Sequence, residues 1–166
     1  MKIIDKALLD SVSAQAVKSP RLRMNYNFHL HTDEPLNRLL NAMEPGSYFP
    51  PHRHKNPDKE EIFLVLRGSV LILIFDDDGF VASVTEISPK KEVYGMEIEA
   101  GVWHSLIVLE PDTVVYEVKR GPYVPLTPDN IAPWAPDPAD RNQVNEFLSA
   151  DYSGYLAVNV NNMITN

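Results

Sequence analysis

The sequence predicts an all-β protein, a double-sheet barrel with a helix near each end. Three observations predict it. Eight or more short runs of strand character are punctuated by Gly and Pro, with no helical segment between them. Several runs, such as IFLVLR (62–67) and VLILIF (70–75), are apolar on both faces. Antiparallel strands with one covered face should alternate, so something must cover the outside of the barrel as well as fill the inside. Finally, Asp76-Asp77-Asp78-Gly79 between two apolar runs is a hairpin signal, its tip solvated. The terminal helices, a second subunit or both would supply the outer cover, and a homodimer is the expected assembly.

The bulk numbers narrow the class. With 166 residues, 44% apolar and 23% charged, the chain is expected to form one domain over 1–166, long enough to bury a substantial core. A formal net charge of −8 argues against nucleic acid or an anionic membrane as partner, because both need clustered Lys and Arg. Without cysteine there is neither a disulfide framework nor a thiolate metal site. Asp5, Lys6 and Asp10 interrupt the amino terminus, so it does not read as a signal peptide, and no apolar run approaches the roughly 20 residues that span a bilayer. A cytoplasmic location is the expectation.

Within the N-terminal segment 1–19, Ile4, Ala7, Leu8, Val12 and Ala16 recur at helical spacing, Asp5 offers an N-cap and Pro20 a stop. The barrel is expected over 20–119. Its first strand alternates Arg21, Arg23, Asn25 and Asn27 with Leu22, Met24, Tyr26 and Phe28; the polar face is either solvated or lines a cavity that takes an anionic ligand. Leu36–Ala42 reads as a strand or an amphipathic turn of helix. VWHSLIVLEPD and TVVYEVKRG read as a hairpin turned at Glu110-Pro111-Asp112. On the second of these, Glu117 and Lys119 share a face, as an exposed ion pair or as an acid and base inside the barrel. Residues 120–138 hold six of the fourteen prolines and form an extended arm, with Tyr123 and Trp134 as anchors or as a lid. In the segment 139–166 a C-terminal helix, with Asp137 as N-cap and Pro138 at its first turn, precedes a tail whose YLAVNV could add an edge strand.

The chemistry-bearing stretch runs from Gly46 to Gly68, with a distant partner in Gly101–His104. His52 and His54 are two apart, so an extended backbone places both imidazoles on one side, roughly 6.5–7 Å apart at the backbone. Glu61 opens the next strand, and His104 lies fifty residues beyond His54. Three imidazoles and a carboxylate suit a divalent transition metal (Fe, Mn, Ni or Zn) and suit Ca poorly. His29-Leu30-His31 is a rival His-x-His pair, but Asp33, Glu34 and Pro35 after it look like a turn, and lining a pocket fits His29 better than His31.

The frame of Gly46, His52-Arg53-His54, Glu61 and Gly68 resembles the first cupin motif, and Gly101-Val102-Trp103-His104 resembles the core of the second. Further stretches, PRLRMNYNFH (20–29), LNRLLNAMEPGSYFPPHRH (36–54), FDDDGFV (75–81), WHSL (103–106), YEVKRGPY (116–123) and APWAPDP (132–138), resemble the WbuC-type cupin fold metalloproteins. The spacer from His54 to Glu61 is longer than the general motif has. Glu61 is preferred to Glu60 because its spacing to Gly68 fits and because Glu61, Phe63 and Val65 share a face. The resemblance implies a cupin double-stranded β-helix, or jelly-roll barrel, with His52, His54, Glu61 and His104 as ligands of one divalent metal. It also implies a role in surface polysaccharide (O-antigen) biosynthesis, hence a sugar or sugar nucleotide as ligand. An isomerase- or epimerase-like reaction would use Glu117, Lys119 or Tyr123 to move protons, with Arg21, Arg23, Asn25 and His29 binding substrate. An Fe(II) dioxygenase and a non-catalytic metal-dependent binding module are the alternatives.

Overall fold

A computed structural model describes residues 1–155. Helix α1 (Lys6–Ala16) starts where the sequence places its cap: the Asp5 carboxylate accepts from the Leu8 backbone N–H at 2.9 Å. Eight strands follow: β1 (Arg23–Asn27), β2 (Leu36–Met43), β3 (Glu61–Arg67), β4 (Val70–Phe75), β5 (Val81–Ile87), β6 (Gly95–Ile98), β7 (Trp103–Val108) and β8 (Thr113–Arg120). They form two antiparallel sheets, one in the order β1-β2-β8-β3-β6, the other β5-β4-β7. This is the expected jelly-roll barrel. Helix α2 (Arg141–Ser149) comes after the proline-rich arm. The edge strand expected at YLAVNV falls on residues that lie, but for Tyr155, outside those described. Among the described residues no helix is long and apolar enough to cross a membrane.

The doubly apolar strands are explained by three separate apolar layers. Between the sheets, Met43, Phe63, Val65, Val70, Ile72, Leu106, Val108 and Val115 fill the barrel interior. Outside the larger sheet, Val12 and Ala16 of α1 pack on Leu40, Ala42 and Val114. Outside the smaller sheet, the arm and α2 bring Ala132, Trp134, Phe147 and Leu148 onto Leu71, Leu73, Phe75 and Trp103. Leu64 and Leu66 of β3 stay 40% and 38% exposed.

Two expectations about local structure are corrected. β7 and β8 are not a hairpin: β7 pairs with β4, whereas β8 pairs with β2 and β3. The Glu110–Asp112 turn is a corner that carries the chain from one sheet to the other, closed by the Thr113 hydroxyl donating to the Glu110 carbonyl at 2.7 Å. Short turns serve both purposes, and strands apolar on both faces hide the difference. The cap of α2 is Asp140, whose carboxylate accepts from the N–H groups of Asn142 and Gln143; Asp137 closes the turn before it, accepting from Ala139.

Glycine is required where β3 gives way to β4. Gly68 has φ +84°, and a Cβ there would lie 2.1 Å from Thr113 Oγ1. The arm is pinned by Trp134, whose ring sits 4.8 Å from that of Phe75 and 6.3 Å from that of Trp103. Trp134→Ala is expected to lower stability by about 2–3 kcal/mol, as for truncation of a half-buried aromatic, and chemical denaturation checks it; an effect below measurement would mean that the arm is not held here.

Candidate metal centre

The residues before β3 run extended alongside β7. His52 and His104 exchange backbone hydrogen bonds, each N–H donating to the other's carbonyl at 2.9 Å. This ladder fixes His52 opposite His104, and alternation brings His54 to the same side. Glu61, first residue of β3, faces inward between Ile98 of β6 and Lys119 of β8. One side-chain nitrogen or oxygen from each of His52, His54, Glu61 and His104 lies within 4.8 Å of the others. Glu60 turns outward to pair with Arg120 at 3.3 Å, so Glu61 is the carboxylate of the cluster.

Hydrogen bonding sets the imidazole tautomers. His52 Nδ1 lies 2.9 Å from the Pro50 carbonyl and His104 Nδ1 2.9 Å from that of Val102. A carbonyl only accepts, so each Nδ1 carries the proton and each Nε2 turns a lone pair into the cluster. His104 Nε2 and Glu61 Oε1 are then two acceptors 2.6 Å apart. Both are buried and neither has a hydrogen-bond partner. Two lone pairs so placed call for a cation between them, and the residues present fit a divalent metal ion. Burial, with His104 alongside, holds the pKa of His52 well below the ordinary imidazole value, which keeps it a neutral ligand.

A cavity of about 540 Å³ opens from this cluster, within the range of small-ligand sites. It is lined by Arg21, Arg23, Asn25, His29, Glu117, Lys119 and Tyr123, so every candidate catalytic and substrate-binding residue reaches one space. The polar face of β1 therefore lines the cavity. Glu117 and Lys119 are not an exposed pair either: Glu117 is 8% exposed, and Lys119 Nζ lies 3.1 Å from Glu117, 3.4 Å from Glu61 and 3.5 Å from His54 Nε2. Burial works against the charge on Lys119, but Glu117 and Glu61 outweigh it and raise its pKa above that of an ordinary lysine. Tyr123 is 55% exposed, while Trp134 is an anchor away from the cavity. His29 accepts from the Arg38 N–H through Nδ1 and lies outside the ligand cluster; His31 is exposed.

Sequence reasoning passed over Asn37 and Asn41. Both are buried on β2, line the cavity, and carry an amide atom without a partner, Nδ2 of Asn37 and Oδ1 of Asn41. Their spacing in LNRLLNAM was the available signal: Asn37, Leu39 and Asn41 share one face of the strand.

The family described as Domain of unknown function (DUF6016) matches residues 4–87, about half of the chain. The chain belongs to that family. No curated protein matches it. Similar solved structures include the TT1209 protein from Thermus thermophilus, 17% identical over 72% of this chain and 97% of that one, with a TM-score of 0.52. KdgF from Halomonas sp. is 19% identical over 64% and 84%, with a TM-score of 0.47. The oxalate decarboxylase of Lactobacillus farciminis is 20% identical over 57% of this chain, with a TM-score of 0.43; this chain spans only 26% of it. At 17% identity the likeness to TT1209 speaks to the fold alone.

Glu61→Gln is expected to weaken metal affinity at least tenfold with the fold retained, and Glu60→Gln to leave it unchanged; elemental analysis with circular dichroism checks both. The buried imidazole also sets a pH dependence in metal-free protein. Below the ordinary value of 6.5 the unfolded chain protonates His52 while the folded chain does not. The unfolded state then binds more protons, so stability falls as pH drops from 6.5 toward the depressed folded pKa. Urea titrations from pH 8 to pH 5 on chelator-treated protein should show this loss, and a flatter profile in His52→Asn.

Proposed function

We propose that this protein is a mononuclear divalent-metal cupin enzyme that moves a proton on a small polar substrate, an isomerase- or epimerase-like reaction on a sugar derivative. What supports the reading most is the Lys119–Glu117 pair turned toward the metal ligands rather than to solvent. A metal held by His52, His54, Glu61 and His104 would supply Lewis-acid polarisation of a substrate carbonyl. Glu117 then accepts the proton from the carbon beside that carbonyl. Lys119, kept protonated by its two carboxylates, faces the negative charge that develops on oxygen, and Glu117 returns the proton it took to carbon. Tyr123, at the cavity mouth, is a second donor in reach of solvent.

The sequence resemblance to WbuC-type proteins supports a sugar or sugar nucleotide of surface polysaccharide biosynthesis as substrate, with a cytoplasmic location to match. The homodimer has one candidate surface in the exposed Leu64 and Leu66.

Elemental analysis of untagged protein, beside a His52→Ala/His104→Ala variant, is the first test. Near-stoichiometric Fe, Mn, Ni or Zn that disappears in the variant is expected; no metal after reconstitution would overturn the reading. The proton transfer is checked by incubating metal-loaded protein with candidate sugars in D2O. Deuterium should enter at carbon, and Lys119→Met and Glu117→Gln should each slow this at least a hundredfold with metal content unchanged. Binding of the sugars without any exchange would favour a metal-dependent binding module.

A further inference from the structure

The larger sheet presents a graded row of side chains to the cavity. At one end, Asn37, Lys119 and Glu61 lie opposite one another on β2, β8 and β3, beside the imidazoles. At the other, β1 contributes Arg23, Asn25 and Asn27, and Arg21 just before it joins them. Three strand spacings separate β1 from β3, roughly 14 Å measured along the sheet. The arginines therefore do not share the coordination site.

What distinguishes these arginines is their place on the cavity wall. Among the described residues neither Arg21 nor Arg23 has a carboxylate in ion-pair reach, as is true of Arg53 and Arg141 outside the cavity, while Arg38, Arg67 and Arg120 each have one. Arg23 is held instead by uncharged groups: it donates to the Tyr48 carbonyl, and its guanidinium lies 4.1 Å from the centre of the Phe49 ring. Burial, then the neighbouring Arg21, lowers its pKa to about 10. A half-buried guanidinium with a like charge nearby and no counter-charge is an electrostatic cost, one that an oxyanion accepting from Arg23 and reached by Arg21 would relieve. Asn25 and Asn27 add uncharged donors along the same edge.

We infer that the cavity is two-ended: the ligand places an oxygen donor at the metal and an oxyanion, phosphate or carboxylate, on Arg21 and Arg23. The ligand class is an anionic polyhydroxy compound whose charged group is remote from the reacting carbon, as in a sugar phosphate. This inference rests on the cavity being the ligand site proposed above and adds its polarity. Binding energy at the arginine end would fix which carbon reaches Glu117, so the arginines would set specificity and position without touching the reacting atoms.

The test is calorimetric titration of metal-loaded protein with glucose 6-phosphate, inorganic phosphate, galacturonate and neutral glucose. The phosphates or the uronate should bind at least tenfold tighter than glucose. Arg21→Gln, at an exposed position, and Arg23→Gln should each reduce that binding at least tenfold with metal content and melting temperature kept. Phosphate against galacturonate identifies the oxyanion. Three results would overturn the inference: no preference for any anion, equal binding by both arginine variants, or anion binding lost in His52→Ala/His104→Ala but intact in the arginine variants, which would put the oxyanion on the metal. Arginine-dependent anion binding by protein that takes up no metal would support the inference and sink the metal reading alone.

Discussion

A carboxylate buried at 2% exposure is the constraint around which this barrel is arranged. Removing a carboxylate from water costs several kcal/mol unless opposite charge and hydrogen bonds replace the solvent. Glu61 obtains part of that replacement from Lys119, its direct neighbour across the β3–β8 ladder, and the unpartnered Oε1 beside His104 Nε2 leaves the rest to a cation. The register of β8 is thereby tied to the site. A slip of one residue would turn Lys119 and Glu117 outward and leave Glu61 facing an apolar side chain. The sheet that holds the core and the sheet that holds the chemistry are one object.

Where side-chain type and spacing define a feature, the sequence was sufficient. His52 and His54 two apart, Glu61 in phase with Phe63 and Val65, and a glycine at 68 located the cluster, and Asp5 located the start of α1. The remaining features depend on information that spacing does not carry. Whether the polar face of β1 meets water or a cavity depends on which side of the larger sheet faces the smaller one, and alternation reads the same either way. Glu117 and Lys119 were ambiguous for the same reason. The corner at Glu110–Asp112 passed for a hairpin because β7 is buried on both faces and so shows no exposed polar face to mark which sheet it joins. Asp137 and Asp140 both stand ahead of α2, and only the path of the arm decides which carboxylate meets the free N–H groups.

The covering of the barrel explains how so small a protein keeps a polar cavity. Apolar burial is spread over the interior and two further layers outside the sheets. Cavity-facing positions on β1, β2 and β8 can therefore carry Arg, Asn, Glu and Lys. The proline-rich arm serves both purposes. Its Trp134 closes the outer layer over the smaller sheet, and its Tyr123 and Leu126 line the cavity.

The ligand set also has a mechanical side. His104 belongs to the three-stranded sheet, His52 and His54 to the segment bonded to it, and Glu61 to the five-stranded sheet. One ion bound by all four would join the two sheets. Such an ion would bind the folded chain and not an unfolded one, and so would stabilise by mass action. It would also tie Glu61, and with it the Lys119 ammonium 3.4 Å away, to the strand of the other sheet that carries His104. A cluster that crosses between sheets, rather than lying on one of them, would therefore couple the packing of the two sheets to occupancy of the site.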